Sequence, residues 1–212
     1  MPEYSLLVPF ILASGSPRRL QLLRELDIEP VVVPPDIDET PLPAETPHAH
    51  VERLALAKCR VVADAQKSSS NAADPVVVVA ADTIVSIDGQ ILGKPTDRAH
   101  AARHLRQLSD TTHQVMTGVA VAVDGVSVGH VEVTTVRFAA LTDHEIDWYL
   151  ATGEADDKAG SYAMQGRGGL FVTSIDGSYD NVIGLPRRQL SFLLSSLGVN
   201  LRNGKWSGTL GT

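Results

Sequence analysis

Val76-Val77-Val78-Val79-Ala80-Ala81-Asp82-Thr83-Ile84-Val85 is the most informative run in the chain. Unbroken apolar sequence over 76–81 describes a strand covered on both faces, as in the sheet of an α/β protein. Asp82 then stands at the carboxyl end of that predicted strand, the edge where open α/β sheets collect ligands. A carboxylate in such a place is unfavourable unless it is paired, hydrogen-bonded or bound to metal. A strand-end or turn cap is the plainer alternative. The extended character of Thr83-Ile84-Val85 weakens that alternative.

Upstream, residues 8–13 read as a first strand, with Pro9 tolerated only at its outer end. Ser16 is a suitable N-cap and Pro17 a suitable first helical residue. Leu20, Leu23 and Leu26 give that helix its buried stripe. Residues 29–33 form a further predicted strand, closed by Pro34-Pro35. Thr46-Pro47 opens a second helix running to about Gln66, and the polar stretch 67–74 is a flexible loop.

Downstream, Asp88-Gly89 and Asp124-Gly125 are hairpin turns. Between them Thr96 is expected to cap a helix whose apolar side is Ala99, Ala102, Leu105 and Leu108. Thr142 and Glu145 form a capping box for a short helix ending near Gly153. A last helix covers 186–197, with Gly198 as its stop. Helix–strand alternation in the first half and hairpins in the middle predict an α/β fold, a mixed central sheet flanked by helices. The reading gives one domain over 1–198 and a loosely held tail over 199–212.

The formal net charge of -7 argues against a broad nucleic-acid surface, and aromatics at 5% leave little for base-stacking platforms. Phosphate chemistry on such a chain needs a local nest of cations, and a divalent ion to bridge acidic protein and polyanion. No apolar run approaches the ~20 residues that span a bilayer. The start of the chain lacks the positive region of a secretion signal. A single cysteine, Cys59, excludes an internal disulfide. These features make a cytoplasmic, membrane-free protein the expectation.

Ser14-Gly15-Ser16-Pro17-Arg18-Arg19 joins a strand to a helix N-terminus, whose free N–H groups attract anions. Arg18 and Arg19 add forked donors shaped for phosphate. The bland alternative is a capped helix with two solvated arginines, but positive residues in a first turn oppose the helix dipole. Lys58 falls among Val51, Leu54, Ala55, Val62 and Ala65 on one helical face. It either snorkels to solvent or enters a cleft to meet an anion, and the pattern does not choose.

The acidic loop Asp36-Ile37-Asp38-Glu39 is solvated surface by default. Beside Asp82, one of its carboxylates would help hold Mg²⁺ or Mn²⁺ through oxygen ligands. Lys94, in the turn Gly93-Lys94-Pro95, suits a second phosphate contact or a plain turn. Gln165 opens the glycine-rich run 165–169, which by itself says little. His100 and His104 lack the glutamate of a zinc-protease helix and are assigned to its solvated side. Cys59 is read as a structural thiol. There is no GxSxG elbow, no dinucleotide fingerprint and no GxxxxGK[ST] loop.

Taken in order, Leu12-Ala13-Ser14-Gly15-Ser16-Pro17-Arg18-Arg19, Asp38-Glu39, Leu56-Ala57-Lys58, Ala81-Asp82-Thr83, Gly93-Lys94-Pro95, the segment 157–166 and Asn181-Val182-Ile183-Gly184-Leu185-Pro186 resemble the Maf family over most of the chain. The resemblance implies two lobes with a cleft between them, and hydrolysis of a nucleoside triphosphate to monophosphate and pyrophosphate. It also implies a divalent metal. Asp82 would be general base or metal ligand, accompanied by Glu39, with Arg18, Lys58 and Lys94 on the phosphates. Ser16 and Arg19 join the substrate-binding set. Arg18, Thr83 and Gln165 match the positions tied to substrate choice, similar to the subgroup acting on dTTP and UTP. Gly15 and Cys59 depart from the family's usual residues without removing a catalytic group. The family commonly forms homodimers. A nucleotide-binding regulator of cell division without turnover is the competing class, and a pyrophosphatase acting mainly on modified or non-standard bases is the closer rival.

Overall fold

The computed structural model describes residues 6–69, 76–202 and 205–208. In chain order the elements are β1 (Leu6–Leu7), β2 (Phe10–Leu12), α1 (Pro17–Arg24), β3 (Val31–Val32), α2 (Pro47–Ser69), β4 (Val77–Ile87), β5 (Gln90–Leu92) and α3 (Arg98–Leu108). Then come β6 (Thr112–Val123), β7 (Val126–Phe138), α4 (Asp143–Leu150), β8 (Val172–Asp176), α5 (Tyr179–Ile183), α6 (Arg187–Ser196), β9 (Val199–Arg202) and β10 (Lys205–Gly208). The main sheet has the order β3-β2-β4-β6-β7-β8, with β5 on the free side of β4. Its first three strands are parallel and the rest antiparallel, so the sheet is mixed, as the sequence predicts.

The two-residue period of a strand explains why β4 is apolar on both sides. Val77, Val79 and Ala81 pack with Leu22 and Leu23 of α1 and Leu190 and Leu194 of α6. Val78 and Ala80 point the other way, onto Ala55, Cys59 and Val62 of α2. At its far end β4 enters a second core, where Val85 and Ile87 meet Leu105 and Leu108 of α3 and Tyr149 of α4. The sheet is therefore shared by two lobes.

β4 is longer than the expected 76–81, and Asp82 lies within it rather than at its end. The reason is β6, which pairs with β4 continuously from Val77 to Ser86. Only the parallel partner stops: β2 leaves β4 at Val79, and β5 joins the same side at Val85. Between them, among the described residues, the β4 edge carries no strand. This gap opens the cleft at Asp82 and Thr83, so the carboxyl-edge argument holds for the parallel strands but not for β4 itself.

Gly118 lies opposite Asp82 in β6. A Cβ there would stand 2.3 Å from the carbonyl oxygen of Val51, so its absence is what lets α2 lie close on the sheet. Both hairpin turns form as expected, with Asp88, Gly89, Asp124 and Gly125 at positive φ. The capping box of Thr142 and Glu145 is also present.

Several local expectations are corrected. Asp97, not Thr96, caps α3, because its carboxylate accepts from the His100 N–H at 2.7 Å. The buried face of α3 is Ala101, His104, Leu105 and Leu108, with Ala99 exposed. Ser16 occupies the cap position of α1 without a side-chain cap bond. In α1 the fully buried pair is Leu22 and Leu23, with Leu20 and Leu26 at the margin. Of residues 8–13 only 10–12 form strand, and of 29–33 only Val31–Val32, both exposed. Beyond Gly198, β9 and β10 form a three-stranded sheet with β1, in place of a loose tail over those residues. α2 runs on to Ser69, and the remainder of the expected polar loop lies outside the described residues.

Candidate active site

The cleft between the lobes has a volume of about 930 Å³ and is lined by Ser16, Arg18, Arg19, Glu39, Lys58, Asp82, Thr83, Lys94 and Gln165. Every site residue expected from the sequence therefore faces one space. Their positions follow from strand and helix periodicity. Val78, Ala80 and Asp82 share the face of β4 that meets α2, and Lys58 sits among the buried residues of α2 on that side. Thr83, one residue on, turns to the opposite face and meets α1.

Lys58 does not snorkel. Its Nζ lies 2.7 Å from Asp82 Oδ1 and 2.6 Å from Glu39 Oε1. Lys58 and Asp82 are both buried, at 8% and 7% exposure, whereas Glu39 reaches in from an exposed loop. Burying the first pair is tolerable because each charge has its partner. Two carboxylates on one ammonium give the trio a formal charge of −1, with Arg19 the nearby cation that interacts with both Asp82 and Glu39. Asp38 is not part of the trio, since its Oδ1 accepts from the Thr40 N–H at 2.9 Å.

The two arginines divide their work. Arg19 donates from Nε to the Gly184 carbonyl at 2.9 Å, from one terminal nitrogen to Ser14 Oγ at 3.0 Å, and from the other to Thr83 Oγ1 at 2.9 Å. Burial holds its guanidinium below its ordinary pKa, opposed by the nearby Asp82. Arg19 is thus a clamp joining the α1 turn, β4 and the end of α5 while lining the cleft. Arg18 is the opposite case. Among the described residues its buried Nε has no hydrogen-bond partner, and burial lowers its pKa as well. The residue also lines the cleft, where its forked guanidinium can meet an anionic ligand.

Thr83 is held from behind. Its Oγ1 lies 2.9 Å from Thr117 Oγ1, which donates to the Asn181 carbonyl at 3.0 Å. Asn181 is fully buried and donates to the Val115 carbonyl and to Thr134 Oγ1, both at 2.9 Å. This network locks α5 to the sheet behind the cleft.

The segment carrying Gln165 is anchored by groups that sequence reasoning missed. His104 Nδ1 is 2.8 Å from Ser161 Oγ, and His113 Nε2 is 2.9 Å from Tyr162 Oη. Tyr149 Oη accepts from the Ala163 N–H at 3.0 Å. His104 is buried, not solvated as expected. Its place between Ala101 and Leu105 in the sequence carried that signal. Burial pushes His113 down to about 4, so it is neutral near pH 7. Cys59 is buried, with its thiol pushed up to about 12 by desolvation, and is structural as expected.

Glu39 and Asp82 are hard oxygen donors close enough to share one ammonium, which suits Mg²⁺ or Mn²⁺. Among the described residues no three His, Cys, Asp or Glu side chains could hold an ion by themselves. The donor set therefore fits an ion that completes its shell with water and phosphate oxygens, the usual habit of Mg²⁺. It does not fit a closed structural metal site.

Residues 9–197 match the family described as "Maf-like protein". A protein of Symbiobacterium thermophilum named dTTP/UTP pyrophosphatase is 47% identical over 195 residues, covering 92% of this chain and 96% of that one. Proteins of the same name from Anaeromyxobacter dehalogenans and Shewanella denitrificans are 47% and 45% identical, covering 90% and 89% of this chain and 95% and 96% of theirs. The solved structure of the Staphylococcus aureus Ham1 protein is similar at a TM-score of 0.44 and 15% identity, over 77% of this chain and 79% of that one. With nearly the whole of 9–197 matched and relatives this close in sequence, the chain belongs to the Maf family.

Proposed function

We propose that this chain hydrolyses a nucleoside triphosphate to the monophosphate and pyrophosphate, with dTTP and UTP as its substrates. The observation that carries the reading is the convergence of the Glu39–Lys58–Asp82 trio with Arg18 and Lys94 on one cleft. The names of the relatives support the substrate class.

Asp82 is the general base. Lys58 engages its Oδ1, which leaves Oδ2 to take a proton from water attacking the α-phosphorus. Lys58 keeps that carboxylate oriented. Arg18 and Lys94 neutralise charge building on the phosphate oxygens and the leaving group. Ser16 offers its hydroxyl, which makes no cap bond, and the first turn of α1 offers backbone N–H groups to phosphate, while Arg19 holds that turn in place. Glu39 and Asp82 would hold a divalent cation, Mg²⁺ or Mn²⁺, which when bound offsets phosphate charge and acidifies water. Gln165, with both a donor and an acceptor, reads the base edge beside Thr83.

On the same reading the catalytic domain takes in β9 and β10 beyond the expected 1–198, and the enzyme is cytoplasmic, able to pair as a homodimer. Among the described residues, no helix is long and apolar enough to cross a membrane.

The test is pyrophosphate release from the purified chain across a panel of triphosphates with Mg²⁺ or Mn²⁺. Preferential turnover of dTTP and UTP is expected, and absence of pyrophosphate from every triphosphate would sink the reading. Gln165→Glu is expected to reorder the panel, since it replaces an amide donor with a second acceptor and thereby changes kcat/KM between bases by about 10-fold or more. An unchanged ranking would remove Gln165 from base selection.

A further inference from the structure

We propose that Lys158 is a further substrate-binding residue, paired with Lys94 to grip the terminal phosphates that leave as pyrophosphate. This rests on the pyrophosphatase reading above and adds a residue to it.

The two lysines are brought together by backbone. The Gly160 N–H donates to the Gly93 carbonyl at 3.2 Å, so Lys158 and Lys94 flank one shared hydrogen bond between two loops. Gly160 makes this junction possible. Its φ is 66°, and a Cβ there would lie 2.8 Å from Val85 Cγ2 on β4. Only glycine lets the loop press this close to the strand that carries Asp82.

Lys158 lines the same cleft as Lys94 and Arg18, and its side chain is only 16% exposed. Among the described residues its ion-pair partner is Asp157, the preceding residue, whose side chain is 71% exposed. A surface pair of that kind contributes little and does not explain why the ammonium is drawn inward. Glu154 and Asp156 attract it from its own loop, while Arg18 and Lys94 repel it from α1 and the β5 turn. Burial first, then Arg18, lowers its pKa, so the ammonium is held at some disadvantage. Arg18, Lys94 and Lys158 line this cleft beside Glu154 and Asp157, and the mutual repulsion of the three cations is relieved when a polyanion enters between them. Both lysines provide point charges on flexible stems, suited to the charged tail of a triphosphate rather than to a planar base.

The experiment is calorimetric titration of the full chain, as wild type, Lys158→Gln and Lys158→Arg, with inorganic pyrophosphate and separately with thymidine monophosphate. Lys158→Gln is expected to weaken pyrophosphate binding about 10-fold, equal to about 1.4 kcal/mol, and to leave monophosphate binding unchanged. Lys158→Arg should restore most of the loss. Unchanged pyrophosphate affinity in Lys158→Gln overturns the proposal. So does equal weakening of both ligands in a variant that melts like wild type, because that is the mark of a structural role. Wild-type protein that releases no pyrophosphate from any triphosphate defeats the underlying enzymatic reading, a failure distinct from one confined to Lys158.

Discussion

Asp82→Asn is expected to leave a folded protein whose pyrophosphate release is about 10²–10⁴-fold slower than wild type, the range for loss of a positioned general base. The substitution keeps the shape of the side chain. The amide it introduces retains an oxygen able to accept from Lys58, and Lys58 keeps its pair with Glu39. The buried ammonium is therefore not orphaned, and the apolar neighbours Ala80, Ala81 and Ile84 are untouched. What disappears is the proton acceptor and one of the two carboxylates suited to a cation. A thermal melt beside a pyrophosphate-coupled assay checks both halves. A variant that melts like wild type and turns over at a wild-type rate would strip Asp82 of its role.

Arg19→Ala is expected to act mainly on the fold. Arg19 ties three separated segments together through its bonds to Ser14, Thr83 and Gly184. Removing it leaves the Gly184 carbonyl without that donor and creates a space between α1 and α5. Thr83 keeps Thr117, and Ser14 Oγ still accepts from the Ser16 N–H, so the loss is partial. A destabilisation of about 2–4 kcal/mol follows from the lost charged hydrogen bonds, a fall in Tm of roughly 5–15 °C for a chain of this size. Lysine at this position cannot span the three acceptors, because it lacks the planar fork. Arg18→Ala is the contrast, expected to raise KM with little change in Tm, since among the described residues Arg18 Nε has no partner to lose. Should Arg19→Ala melt like wild type and change only KM, Arg19 is a phosphate ligand after all.

The difference between these arginines marks how far the sequence could be read. Adjacent residues at a helix start look alike on paper. Which one turns into the protein depends on where Thr83 and Gly184 lie, and those contacts span 64 and 165 positions along the chain. Asp82 stood out because an apolar run ended on it, although the strand continued past it. The continuation depended on β6, a partner remote in sequence whose pairing residues gave no local sign. Lys58 was visible as a charge on an apolar helical face. Its choice between solvent and cleft was set by the close approach of α2 over Gly118, and by Glu39 arriving from another loop.

The capping box of α4 and both Asp-Gly turns were legible because their chemistry is local. Asp97 displaced Thr96 as the α3 cap by one position, a distinction that rests on backbone geometry rather than residue type. His104 was misread because histidine was weighed as a polar residue. Paired with Ser161, it packs as part of the buried face.

Hydrolysis of dTTP in water enriched in heavy oxygen, with mass analysis of both products, tests the account most directly. Attack at the α-phosphorus by water deprotonated at Asp82 places the label in the monophosphate and leaves pyrophosphate unlabelled. Label in the pyrophosphate, or release of single inorganic phosphate with a nucleoside diphosphate, would contradict it.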